Sequence, residues 1–366
     1  MLVNWENNSN FACANPKSLM ILFDCERMKR PYSGKAVFCR QLAPELIAVS
    51  GEYPWKFGLY LPKQAWKFCN GVPRVRQHRF HEKIFAVARK IELFHACTPL
   101  SGCRPHNGRS KILTTIHDLN YIHFNSGPAE YAWHDERTAR AIRESDRIAT
   151  ISESAKADIL EHFGDPGKPI DVIYNGLDRY TGKTEVPAQV PEGDFLYCVC
   201  RITKSKNLQT LPALLVGNDL RLVISGRDMG DGHMQEIQAQ AARLGVSERL
   251  ILTGPLSDAR VHWYLSHCKA FVFPSLCEGF GLPVLEAMQY YKPVFCSGIP
   301  ALREVGGKFA FYFNEGFDPD AMREELYSGL SESASKDNRR ETDEWLAKFS
   351  WHAAAEQYYD IYSRML

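Results

Sequence analysis

The chain has 366 residues, 45% of them hydrophobic and 24% charged, with a net charge of +1. That length exceeds one comfortable core and divides naturally into two domains, and the composition is globular, neither disordered nor fibrous. No apolar run approaches the roughly 18 residues of a membrane span, the opening MLVNWENNSN is too polar for a signal peptide, and a pI near 7.6 lacks the basic footprint of a nucleic-acid binder, so the expected location is the cytoplasm.

Residues 18–24 (SLMILFD) read as a first strand, and a charged loop follows before a helix over about 36–48. Further strands are predicted at 56–61, 72–77, 92–96 and 112–117, with a helix near 81–90. This alternation implies an α/β architecture with a parallel, doubly wound sheet, whose ligands bind beyond the carboxyl ends of the strands. His117, followed by Asp118, ends one such strand and His95 ends another, so topology brings both to the ligand side.

Charge is uneven, with 25 Lys and Arg against 19 Asp and Glu over residues 1–180 and 19 against 24 over the rest. Within the basic half, Lys63, Lys67, Arg74, Arg76, Arg79, Lys83, Arg89 and Lys90 interleave with Trp66, Phe68, Phe80 and Phe85. Such a stretch over 63–90 suits an anionic membrane surface and equally suits an ordinary solvated face. A charged helix over 128–145, a strand over 147–151, a helix over 155–163 capped by Ser152 or Ser154, and a strand over 171–174 complete the first half. Residues 179–193, with two prolines and little periodicity, read as a linker.

The second half restarts with a strand over 195–200, in which Cys198 and Cys200 share a face and read as core packing. Arg201 and Lys206 follow in a loop before a predicted helix. Two cations there can neutralise a departing diphosphate. Strands at 220–225 and 249–253 and a helix at 258–267 lead to the segment around which the chain is organised. Residues 270–273 form a short apolar strand that Pro274 ends. Gly279 and Gly281 permit a tight turn and close approach of a ligand, and Pro283 suits the first position of a helix. Orphan amides at such a helix start favour a phosphate. Glu278 precedes the turn and Glu286 lies about one helical turn beyond it, so the two carboxylates can accept hydrogen bonds from separate hydroxyl clusters of a long polyhydroxylated ligand such as a sugar nucleotide. The tail from 321 onward reads as helical, ending in an amphipathic helix over 351–366.

Other chemistry lacks support. His81-Glu82-Lys83-Ile84 is followed by Phe85 where a zinc hydrolase motif needs histidine, no G-x-x-x-x-G-K-[ST] occurs, and Asp318-Pro319-Asp320 reads as a helix cap. Gly226, Gly230 and Gly232 do not make a dinucleotide fingerprint. Eleven cysteines without a C-x-x-C pair read as reduced thiols. No metal and no bound cofactor is expected.

Glu278-Gly279-Phe280-Gly281-Leu282-Pro283, followed after two residues by Glu286-Ala287-Met288, resembles the signature of retaining glycosyltransferases of the GT-B fold, in the large fourth sequence family that includes many bacterial polysaccharide and lipopolysaccharide enzymes. The resemblance covers most of the chain from about residue 18 and is strongest from 201 to 306. It implies two facing Rossmann-like domains: 1–180 for the acceptor, with 350–366 crossing back onto it, and 181–349 for the sugar nucleotide. By analogy Glu286 takes the ribose hydroxyls, Glu278 the hydroxyls of the transferred sugar, and Arg201 and Lys206 the diphosphate, with help from Phe280, Gly281, Leu282 and Pro283. His117 matches the family's histidine at the sugar site. Gly34 and Lys35 stand where the family has a glycine-rich turn facing the donor phosphates, with one glycine fewer, and Glu304 lies in a loop bordering the nucleotide. Cys200 stands where glycine is common, and Lys204 competes with Lys206 for its role.

The function so implied is retaining, metal-independent transfer of a hexose (mannose, glucose or galactose) from a GDP- or UDP-linked donor to a saccharide or lipid-linked acceptor in surface polysaccharide or lipopolysaccharide biosynthesis. Peripheral contact with the inner face of the plasma membrane goes with it, and nucleic acid is not a partner. A non-catalytic sugar-nucleotide-binding regulator, or an epimerase or phosphorylase of the same fold, remains the alternative.

Overall fold

The computed structural model describes residues 20–30, 33–82, 91–105, 108–124 and 127–366. The described residues form two compact units: those within 1–121, 125–176 and 349–366 make the first, and those within 122–124 and 177–348 the second.

The first unit is a seven-stranded sheet, every strand parallel to its neighbours, in the order β3-β2-β1-β4-β5-β6-β7. Its strands are β1 Met20–Asp24, β2 Lys56–Leu61, β3 Arg74–Arg76, β4 Leu93–Ala96, β5 Lys111–Ile116, β6 Arg147–Thr150 and β7 Ile170–Val172. Its helices are α1 Gly34–Val49, α2 Asn120–His123, α3 Pro128–Glu144 and α4 Glu153–Phe163. Strand β1 is buried along its whole length, as a central strand covered on both faces must be. Ser152 caps α4 by accepting from the Ala155 amide at 3.0 Å.

The second unit is a six-stranded parallel sheet in the order β10-β9-β8-β11-β12-β13. Its strands are β8 Phe195–Val199, β9 Arg221–Ser225, β10 Leu250–Gly254, β11 Ala270–Phe273, β12 Val294–Ser297 and β13 Phe311–Phe313. Its helices are α5 His233–Arg243, α6 Asp258–His267, α7 Leu282–Met288, α8 Pro300–Gly306, α9 Pro319–Ser335 and α10 Arg339–Leu346. Asp318 caps α9, accepting from the Asp320 and Ala321 amides. In both sheets the strand order reverses beside the first strand, between β1 and β4 and between β8 and β11. Loops leaving the two flanking strands diverge there, which opens a crevice at the carboxyl ends.

After α10 the chain returns to the first unit as α11 Trp351–Met365, which packs along α1. Trp351, Ala354, Ala355, Tyr358, Tyr359, Ile361 and Tyr362 form its buried stripe at helical spacing. Tyr362 OH meets His95 Nδ1 at 2.7 Å, His95 Nε2 meets Thr115 Oγ1 at 2.7 Å, and Tyr358 OH meets the same Thr115 hydroxyl at 3.2 Å. Polar tips that would otherwise be stranded under α11 are thus paired. Gly176 is required at the return, because a Cβ there would lie 2.2 Å from the Trp351 nitrogen.

One expectation needs correction. The helix expected after the Arg201 loop is 3-10 in form, Leu208–Leu215, since Pro212 has no amide to donate and Asn207 enters it in the left-handed region at φ 55°. The helical tail expected from 321 onward is present as α9, α10 and α11 and begins at Pro319. Of the helix expected over 81–90, a 3-10 turn Arg79–Glu82 is described, and Lys83, Phe85, Arg89 and Lys90 lie outside the described residues. No helix among the described residues is long and apolar enough to cross a membrane.

Candidate active site

The loops that leave β8 and β11 flank the reversal point of the second sheet, and both carry residues singled out by the sequence. The Leu276 amide donates to the Ser205 carbonyl at 2.9 Å, binding one loop to the other. Across this junction Lys206 Nζ makes a short hydrogen-bonded ion pair with Glu278 Oε1, 72 residues away in sequence. The side chains are 12% and 14% exposed, so the pair is screened little by solvent. Burial works against the Lys206 charge, but Glu278 outweighs it, and the ammonium is held above its ordinary pKa.

Ser275, wholly buried, had no signal of its own in the sequence. Its hydroxyl lies 3.5 Å from Lys206 Nζ and 3.2 Å from the Cys277 carbonyl, while the Ser297 hydroxyl at the end of β12 donates to the Ser275 carbonyl. The Lys206 ammonium also sits 5.4 Å from the Phe273 ring centroid. Lys204 turns away to pair with Glu236 at 3.1 Å, so it does not share the position of Lys206. Arg201 stands exposed on the same loop.

Beyond the junction, Gly281 begins α7 at φ 121°, a conformation that favours glycine. Its buried backbone runs so close to α8 that a Cβ would meet Leu302 Cδ2 at 2.6 Å and Val305 Cγ2 at 3.1 Å. Leu282 and Pro283 open the helix half-buried, and Glu304 lies half-buried on α8. The Phe280 ring is packed inside, 4% exposed, so any contact it offers a ligand runs through its backbone.

Glu286 is half-buried on α7. Burial, then Asp258 and Asp178, push its carboxyl up to about 7. No hydrogen bond or ion pair to this carboxylate forms among the described residues. One turn on, Tyr290 OH meets His262 Nδ1 of α6 at 2.9 Å, and Tyr180 stacks on His262 at 4.0 Å. Those contacts fix α6 beside α7, which holds Glu286 in place while its head stays unengaged.

In the first unit His117 is 5% exposed and its Nε2 donates to the Cys97 carbonyl at 2.8 Å. Burial, with Lys35 next, lowers its pKa to about 4, so the ring is neutral at pH 7 and its Nδ1 is an acceptor. Lys35 pairs with Asp118 at 3.6 Å, and Gly34, exposed, opens α1 behind the Ser33 cap. His95, at the end of the neighbouring strand, is spent on Thr115 and Tyr362 as described above. The sequence reading passed over Asp24, buried at the end of β1 and pushed up to about 7 by burial and by Glu26. It accepts from the Glu26 amide at 2.8 Å, from the Ser101 hydroxyl and from the Cys97 thiol at 3.7 Å. Asp24 therefore fixes the loop from which Cys97 receives His117. Among the described residues no group of three or more His, Cys, Asp or Glu is arranged to hold a metal ion.

Residues 37–179 match the family model for Glycosyltransferase Family 4, and residues 184–344 match that for Glycosyl transferases group 1. The O-antigen chain mannosyltransferase B of Escherichia coli is 30% identical over 277 residues, spanning 70% of this chain and 71% of that protein. The chain belongs to glycosyltransferase family 4. This family 4 chain is also 29% identical over 241 residues to the serotype-specific mannosyltransferase WbdA of Escherichia coli, a match that takes in 61% of the chain and 29% of WbdA. It therefore spans less than a third of that relative's length. Among solved structures, Anabaena Alr3699/HepE in complex with UDP and glucose superposes with a TM-score of 0.71 at 16% identity, over 94% of this chain and 99% of that one. The family 4 glycosyltransferase thus has the GT-B fold.

Proposed function

We propose that the chain is a retaining, metal-independent hexosyltransferase that takes a GDP- or UDP-linked sugar, with mannose the favoured hexose, and passes it to a saccharide or lipid-linked acceptor in surface polysaccharide assembly. The observation that carries this reading is the Lys206–Glu278 pair at the reversal point of the second sheet, with the unengaged Glu286 carboxylate about one helical turn past Gly281. Glu286 accepts from the ribose hydroxyls and Glu278 from those of the transferred sugar. Lys206, with Arg201 on the same loop, meets the diphosphate, where negative charge builds as the glycosidic bond to the nucleotide breaks. The cationic help that a divalent ion gives elsewhere thus comes from side chains. No carboxylate is assigned as a covalent nucleophile: the acceptor attacks from the face the diphosphate leaves, and the departing phosphate takes its proton. The first unit serves the acceptor, with the neutral His117 as its candidate contact.

The names of the relatives support mannose and O-antigen chemistry, and the UDP and glucose bound by HepE support a nucleotide-sugar donor for this fold. Lys63, Lys67 and Phe80 are exposed on the first unit and support peripheral contact with an anionic membrane. Incubation with GDP-mannose, UDP-glucose or UDP-galactose and a lipid-linked saccharide tests the reading. Nucleoside diphosphate release in the presence of EDTA and an α-linked product are expected. Binding without release in any donor and acceptor combination favours the regulatory alternative.

A further inference from the structure

The Lys206–Glu278 contact has a consequence for the spent donor. We propose that Glu278 acts as an internal counter-charge that weakens the hold of the site on nucleoside diphosphate, so that product leaves once its sugar is gone. This rests on the sugar-nucleotide reading above.

Lys206 lies among neutral groups, the Ser275 hydroxyl and the Phe273 ring, and Glu278 is the carboxylate paired with it. A diphosphate that recruits Lys206 must draw it from Glu278. The carboxylate is then left 14% exposed without its cation, a costly state for a buried charge. An intact nucleotide sugar relieves that cost, because hydroxyls of the hexose donate to the carboxylate Lys206 has left. A nucleoside diphosphate brings no hydroxyl to that position. It also carries more negative charge, since its terminal phosphate loses a second proton near pH 6, and Glu278 repels it. The same side chain thereby favours substrate and opposes product. The position of Glu278 across from Lys206, fixed by the bond from Leu276 to Ser205, makes the two ligands compete unequally for one cation.

The test is calorimetric titration of the full chain with GDP and with UDP. The Glu278→Gln variant keeps an amide oxygen for Lys206 but removes the counter-charge. It should bind the preferred diphosphate about tenfold more tightly than the wild type does, without a matching gain for the corresponding nucleotide sugar. In a Lys206→Met background the same substitution should tighten diphosphate binding by clearly less than it does in the wild type, because the part of the effect that runs through that cation is gone and only the direct repulsion is relieved. If the glutamine variant fails to fold, Glu278→Asp, which draws the carboxylate back from Lys206, should tighten diphosphate binding in the same direction. Wild-type binding of diphosphate that is unchanged or weakened in the variant overturns this inference and leaves the sugar-nucleotide reading standing. Failure of the wild type to bind any nucleotide or nucleotide sugar overturns both.

Discussion

The Leu276 amide donates to the Ser205 carbonyl at 2.9 Å, and this bond aligns the loop that carries Lys206 with the loop that carries Glu278. Ser275, next in the chain, reinforces the alignment through its hydroxyl and through the Ser297 hydroxyl that binds its carbonyl. Ser275→Ala removes the hydroxyl that orients Lys206. The expected outcome is a several-fold fall in kcat with a smaller change in KM for the donor, and a loss of about 1 kcal/mol in stability, the usual net worth of one hydrogen bond. Steady-state kinetics and denaturant melts check this.

Glu286 supplies a pH dependence. Its carboxyl is raised to about 7 in the free protein, mainly by burial. Hydroxyl donors favour the ionised form, so ligand binding lowers that pKa and releases a proton. Donor affinity should therefore weaken as pH falls from 8 to 6, and Glu286→Gln should flatten the profile. Titration calorimetry in two buffers of different ionisation enthalpy reads both the slope and the proton released.

Gly281→Ala is expected to be damaging for two separate reasons, the positive φ of 121° and the 2.6 Å approach to Leu302 Cδ2. Strain of this kind costs about 1–3 kcal/mol. The melting temperature should fall, and nucleotide affinity should fall with it, because α8 cannot move aside without shifting the start of α7.

A contrasting outcome is expected in the first unit. Tyr362→Phe leaves His95 Nδ1 buried without its partner, and burial already lowers the His95 pKa to about 3, so the ring cannot recover the loss by charging at neutral pH. Stability should drop by about 1–3 kcal/mol. Nucleotide affinity in the second unit should stay as in the wild type, which thermal melts and titrations on the same sample distinguish.

Much of the fold was legible because the signals are local. Residues 56–61 and 270–273 are short apolar runs bounded by turn residues, and 258–267 has helical spacing between clear ends, so the structure has the same limits. The stretch after Asn207 misled because its leucines suit an ordinary helix while Pro212 forbids one. The two carboxylates and the glycine turn stood out from sequence, but the pairing of Lys206 with Glu278 did not, since a partner 72 residues away leaves no local trace. Nor could spacing decide between Lys204 and Lys206. The 3-10 turn Lys204–Lys206 sends them to different faces, one toward Glu236 and the other toward Glu278. Asp24 was missed for a like reason, its partners Cys97 and Ser101 being 73 and 77 residues away.

The most direct measurement is the rate of nucleoside diphosphate release from a nucleotide sugar in the presence of acceptor, compared between the wild type and Lys206→Ala. The account predicts steady release by the wild type and a loss of roughly 100-fold or more in the variant, the scale expected when a group that meets developing charge is removed. Full turnover by Lys206→Ala, or no release by the wild type from any GDP- or UDP-linked hexose, would contradict it.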